Sequence, residues 1–127
     1  MSKVAHIIGN GDMAGMYKQA KGIKITCNLP PFAVNNVYCT FMVDFKMMKA
    51  IDEGSVVVPG EWILGARPKK WMEIRPDFYM KYASQIKGFY LELPKYASSY
   101  TDLNCGHMAT HYVANKIKAT EVHMYGF

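Results

Sequence analysis

The order of apolar and polar positions divides the chain into short segments that alternate between strand and helix patterning. Val4-Ala5-His6-Ile7-Ile8 is a mostly apolar run of strand length that halts at Gly9-Asn10-Gly11. That pattern predicts a buried strand followed by a tight turn. From Asp12 to Lys21, Met13, Met16, Tyr17 and Ala20 recur at helical spacing behind Asp12 as a cap, and Gly22 ends the helix. Ile23 to Cys27 predicts a second strand, closed by Asn28 and the breaker pair Pro30-Pro31. Val37 to Val43, rich in β-branched and aromatic residues, predicts a third, ending at Asp44. A helix over Phe45 to Ile51 and a fourth strand at Ser55 to Val58, stopped by Pro59-Gly60, come next. The stretch from Glu61 is harder to read; it yields a helix over Asp77 to Ile86 and a fifth strand from Phe89 to Leu93. After the polar loop Ser98 to Asp102, a helix from Asn104 to Lys118 buries Met108, Ala109, Tyr112, Val113 and Ile117. Glu121 to Tyr125 predicts the last strand.

Strands alternating with helices predict the α/β class: a Rossmann-like three-layer sandwich with a mainly parallel sheet of about six strands, and Val4 to Ile8 central in it. The 127 residues suit one domain spanning the chain. Half of the residues are apolar or aromatic and a fifth are charged, which is globular rather than disordered composition. Cys27, Cys39 and Cys105 form no CxxC pair and are odd in number, which argues against a zinc ribbon or a disulfide framework. Free thiols in core segments suit a reducing cytoplasm. No apolar stretch has the length of a signal peptide or a membrane span, so neither a secretory leader nor a membrane partner is expected.

The net charge of +5 is uneven. Arg67, Lys69, Lys70, Arg75, Lys81 and Lys87 face only Glu73 and Asp77 in their stretch, which predicts a basic insertion at about residues 60–88. Such a patch suits phosphates, nucleic acid or an acidic partner, and equally a solvated face.

In an open parallel sheet, ligands bind beyond the carboxyl ends of the strands. The residues at those ends are therefore the candidates: Gly9, Asn10 and Gly11; Asn28; Asp44; and Asn104, Cys105 and Gly106. The glycine pair allows close backbone approach, and a helix start offers N–H groups to an anion. The turn is not GxGxxG, because Ala14 holds the place of the third glycine, and Asp12 would compete with a phosphate for the same N–H groups. Asn28 and Asp44 are equally readable as turn formers, and Ser98 to Gly106 as a helix cap. His107 and His111 lie four apart on one helix, but no third ligand is apparent, so neither a metal nor any other cofactor is expected.

Three of these segments resemble the bacterial sialyltransferases of the Campylobacter type. Ile8-Gly9-Asn10-Gly11 is similar to their strand–GNG turn, and Thr26-Cys27-Asn28 to the end of their next strand. Asn104-Cys105-Gly106-His107-Met108-Ala109 through Glu121 to Phe127 is similar to their small-residue turn, helix and closing strand. Archaeal pterin pyrophosphokinase-like proteins and uncharacterised phage proteins share the layout. The resemblance implies nucleotide contact at Asn10, Asn28, Gly106 and the neighbouring Asn104 and Cys105, with Asp44 near a third strand end. It departs at Asp12-Met13, where the family has Pro-Ser. The family's general base and phosphate ligands lie past the equivalent of Phe127, so a C-terminal truncation is expected, with no residue here to inherit those roles. The expectation is a nucleotide or nucleotide-sugar binding domain resembling glycosyltransferases. The alternatives are a non-catalytic interaction module on the same scaffold, and single-stranded nucleic-acid binding with Trp62, Trp71, Phe78, Tyr79 and Tyr82 as stacking groups.

Overall fold

The structure, a computed structural model, describes residues 3–9, 22–28, 34, 36–91 and 105–125. Six strands form one sheet: β1 (Val4–Ile8), β2 (Ile23–Cys27), β3 (Val37–Met42), β4 (Trp62–Leu64), β5 (Ile86–Phe89) and β6 (Glu121–Tyr125). Their order across the sheet is β5-β4-β3-β2-β1-β6, and every pairing is parallel. The chain thus steps outward from β1 to β5, then returns to place β6 on the other side of β1. β1 is an interior strand, and the α/β Rossmann-like sandwich read from the alternation is the fold.

Helices cover both faces. On one side, α4 (Cys105–Tyr112), continued by a π-helical turn (Val113–Ile117), packs on Ala5, Ile7, Ile25, Cys27, Cys39, Phe41 and Ile63. On the other, α1 (Phe45–Asp52), α2 (Ala66–Glu73) and α3 (Pro76–Tyr82) enclose Met42, Trp62 and Leu64 with Met48, Ile51, Met72 and Phe78. Residues on alternate sides of β3 and β4 feed the two cores, as the period of two requires. The hydroxyls of Thr26 and Thr40 are buried on adjacent strands and satisfy each other at 2.8 Å. At the start of β2, Gly22 has φ +125°, and a Cβ there would sit 2.5 Å from the Val4 carbonyl oxygen, so this entry into the sheet requires glycine.

Three expected elements take other forms. Ser55 to Val58 is not a strand: Val57 is exposed, and the Val58 carbonyl accepts side-chain hydrogen bonds from Trp62 Nε1 and Gln85 Nε2, both at 3.0 Å. The three valines form a connector pinned by side chains, and the shorter Trp62–Leu64 takes the place in the sheet. The fifth strand lies earlier than Phe89 to Leu93, because α3 ends at Tyr82 and the chain re-enters the sheet at Ile86; residues 92 and 93 lie outside the described residues. The basic stretch at 60–88 is not an insertion projecting from the sheet. It supplies β4, β5 and the two helices between them, so its apolar positions are spent on the second core. The helix expected over Asp12 to Lys21 lies outside the described residues. No helix among the described residues is long and apolar enough to cross a membrane.

Candidate functional site

With all strands parallel, every carboxyl end lies on one edge of the sheet. Gly9 follows β1 there and is buried, its N–H donating to the Tyr125 carbonyl of β6 at 2.8 Å. Asn28 follows β2, the neighbour of β1, so Gly9 and Asn28 end adjacent strands. Asn28 turns the chain with φ 58°, in the left-handed region that asparagine tolerates better than most residues. Its N–H donates to the Phe41 carbonyl of β3 at 3.0 Å.

The same Phe41 oxygen accepts the Cys105 thiol at 2.8 Å. One carbonyl therefore ties the end of β2 to the first residue of α4, and Asn28 and Cys105 are no farther apart than two hydrogen bonds laid end to end. Gly106, next in α4, is buried, and its carbonyl accepts from the Thr110 hydroxyl at 2.8 Å. Cys105 and Gly106 occupy the first helical turn, where backbone N–H groups have no acceptor within the helix and the helix dipole favours negative charge.

The Asn28 side chain gives this corner its chemical character. Among the described residues, its Oδ1 is the one buried polar side-chain atom without a hydrogen-bond partner. A desolvated, unsatisfied carbonyl costs about 1–3 kcal/mol, so native proteins seldom leave one unused.

Of the eight sequence-predicted residues, Gly9, Asn28, Cys105 and Gly106 meet at this corner. Asp44 lies at the same edge of the sheet but is spent on structure: it caps α1, its carboxylate accepting the Lys46 N–H at 3.0 Å. Asn10, Gly11 and Asn104 lie outside the described residues. Sequence reasoning missed one contributor. Cys27 lies directly below Asn28 and hydrogen-bonds the Cys105 thiol; that contact and burial hold its own pKa well above the usual thiol value. Burial likewise pushes Cys39 up to about 12. Cys27 and Cys39 are therefore neutral at physiological pH, and these two thiols offer hydrogen bonding rather than a thiolate nucleophile. His6 lies away from this corner, its Nδ1 pairing with the Tyr125 hydroxyl at 2.9 Å on the face of β1 opposite α4. Strict alternation around Ala5 and Ile7 puts it on that face. His111 pairs with the Tyr90 hydroxyl. Among the described residues no three His, Cys, Asp or Glu side chains are grouped to hold a metal.

Comparison with family models, characterised proteins and solved structures finds no significant match.

Proposed function

We propose that the chain is a nucleotide or nucleotide-sugar binding domain, with its ligand seated across the ends of β1 and β2 and the start of α4. The unpartnered Asn28 Oδ1 carries this reading. It is an acceptor without a donor, at the edge of a parallel sheet where such folds take ligands, beside a helix start that favours an anion. A ligand that fits both groups has an N–H or O–H donor and, a short distance away, a negative charge. A nucleotide has both, in its base or ribose and in its phosphate. The likeness of the strand–GNG turn and the Asn104-Cys105-Gly106 segment to sialyltransferases supports the same ligand class. With the nearby thiols of Cys27 and Cys39 held neutral, the described part of the corner contributes orientation and hydrogen bonds.

Thermal unfolding against mono- and diphosphates of cytidine, uridine, adenosine and guanosine, and against cytidine- and uridine-linked sugars, tests the reading. A ligand at 100 times its Kd stabilises the native state by about 2.7 kcal/mol. At least one nucleotide is expected to raise the midpoint in the wild-type protein and to lose that effect in Asn28→Gly. No shift from any member at millimolar concentration, or an equal shift in the variant, rejects it.

A further inference from the structure

The candidate corner does not use the basic stretch, and the structure gives that stretch a definite surface. Along the outer side of α2 runs a groove of about 450 Å³ lined by Phe45, Arg67, Lys70, Trp71, Ile74 and Arg75. Three cations and three apolar side chains form it, with no carboxylate among them. Its floor is strongly solvent-exposed: Ile74 is 76% and Phe45 42% accessible. The nearest basic neighbour, Lys69, already pairs with Glu73 at 2.9 Å on another side of the helix. Arg67 and Lys70 have no carboxylate at ion-pair distance among the described residues.

The aromatic groups do not form a stacking platform for bases. Trp62 and Phe78 are buried, and Tyr82 packs against both rings. The Arg75 guanidinium lies 4.1 Å over the Trp71 ring, held there by a 3.0 Å bond from Nη1 to the Trp71 carbonyl, while Phe78 meets the same ring edge-on at 5.0 Å. Tyr79, the remaining candidate, lines a different cavity with Lys69, Met72, Glu73, Pro76 and Phe89. What the groove presents is an aliphatic and aromatic floor between fixed positive charges. That complements a segment with apolar anchors flanked by carboxylates, rather than a strand of stacked bases.

We infer that the groove along α2 docks an acidic amphipathic helix of a partner protein, its apolar side chains seated between Phe45 and Ile74 and its carboxylates facing Arg67, Lys70 and Arg75. The test is fluorescence anisotropy with a labelled Glu/Leu amphipathic peptide of about 18 residues, long enough to hold a helix. A peptide of identical composition with its leucines scattered around the helix runs beside it, together with a single-stranded oligothymidylate and phosphatidylserine vesicles. The amphipathic peptide is expected to bind, and the scattered peptide at least about tenfold more weakly, since loss of one seated anchor typically exceeds about 1.4 kcal/mol. Ile74→Ser is expected to weaken binding by about tenfold, and Arg67→Gln with Lys70→Gln to weaken it and flatten its salt dependence. Ile74 and Lys70 are exposed and Arg67 is half-exposed, so circular dichroism of the variants should match wild type. Absence of binding at low salt, equal binding of the two peptides, or tighter binding of the oligonucleotide or vesicles overturns the inference; the two-peptide comparison on the wild-type protein decides it even if a variant misfolds.

Discussion

Replacing Asn28 with glycine should make the ligand-free protein more stable, an unusual direction for a substitution. Asn28 carries two liabilities. Its Oδ1 is desolvated without a partner, a cost of about 1–3 kcal/mol. Its backbone sits at φ 58°, which glycine adopts without strain. Glycine keeps the N–H that donates to Phe41, so the tie between β2 and β3 survives. Against these gains stands the greater freedom of glycine in the unfolded chain, about 0.4–1 kcal/mol. The net is a stabilisation of about 1–2 kcal/mol, or about 3–8 °C in midpoint for a chain of this size. Asn28→Ala separates the two terms. It removes the same oxygen but forces a Cβ into the left-handed region, so it should melt below Asn28→Gly by about 1 kcal/mol or more. Differential scanning calorimetry without ligand is the assay. If Asn28→Gly melts below wild type, the amide is making a useful bond within the protein, and the case for a ligand at Oδ1 loses its footing.

Other consequences follow from the same structure. Thr26→Val alone leaves the Thr40 hydroxyl buried without its partner and should cost about 1–3 kcal/mol, whereas Thr26→Val with Thr40→Val should recover most of it; urea unfolding of all three proteins reads this directly. Cys39 is held protonated to about 12 in the folded chain but ionises near the ordinary thiol value of 9.0 when unfolded. The stability linked to it is complete below pH 9 and declines as pH rises from 9 toward 12, by about 1 kcal/mol at pH 10. Cys39→Ala should flatten that alkaline limb, and an unchanged slope would contradict the assignment. All three thiols are buried, so a disulfide reagent should label the native protein only at the rate of its opening and label all three promptly in denaturant.

Much of the fold was legible because its signals are local. β1 and β3 are mostly apolar runs and β2 and β6 alternate apolar with polar residues, each bounded by polar or glycine positions, and α1 has both its Asp44 cap and its buried stripe in the sequence. β4 was hidden because Trp62-Ile63-Leu64 is only a three-residue run, while Val56-Val57-Val58 just before it makes a stronger strand pattern. That the valines stay out of the sheet depends on Trp62 and Gln85 donating to the Val58 carbonyl, which no local pattern encodes. α2 was hidden by Pro68 and its cations; proline is tolerated there because the first helical turn needs no N–H donors. At the candidate corner, strand ends pointed to Gly9 and Asn28, and a helix start to Cys105 and Gly106. Their convergence on the Phe41 carbonyl, the Cys27–Cys105 thiol contact and the unpaired Asn28 oxygen are products of tertiary packing, which joins segments far apart in the chain. Asp44 illustrates the converse: position alone made it a candidate, and its hydrogen bond to Lys46 shows it to be a cap.

The most direct test of ligand binding at the Asn28 corner is a backbone amide NMR titration of the wild-type protein with the nucleotide that stabilises it most. Perturbations centred on Gly9, Asn28 and Cys105 to His107, fading toward the opposite ends of the strands and absent along α2, are the predicted result. Perturbations confined to the α2 groove, or none at saturating nucleotide, would contradict it.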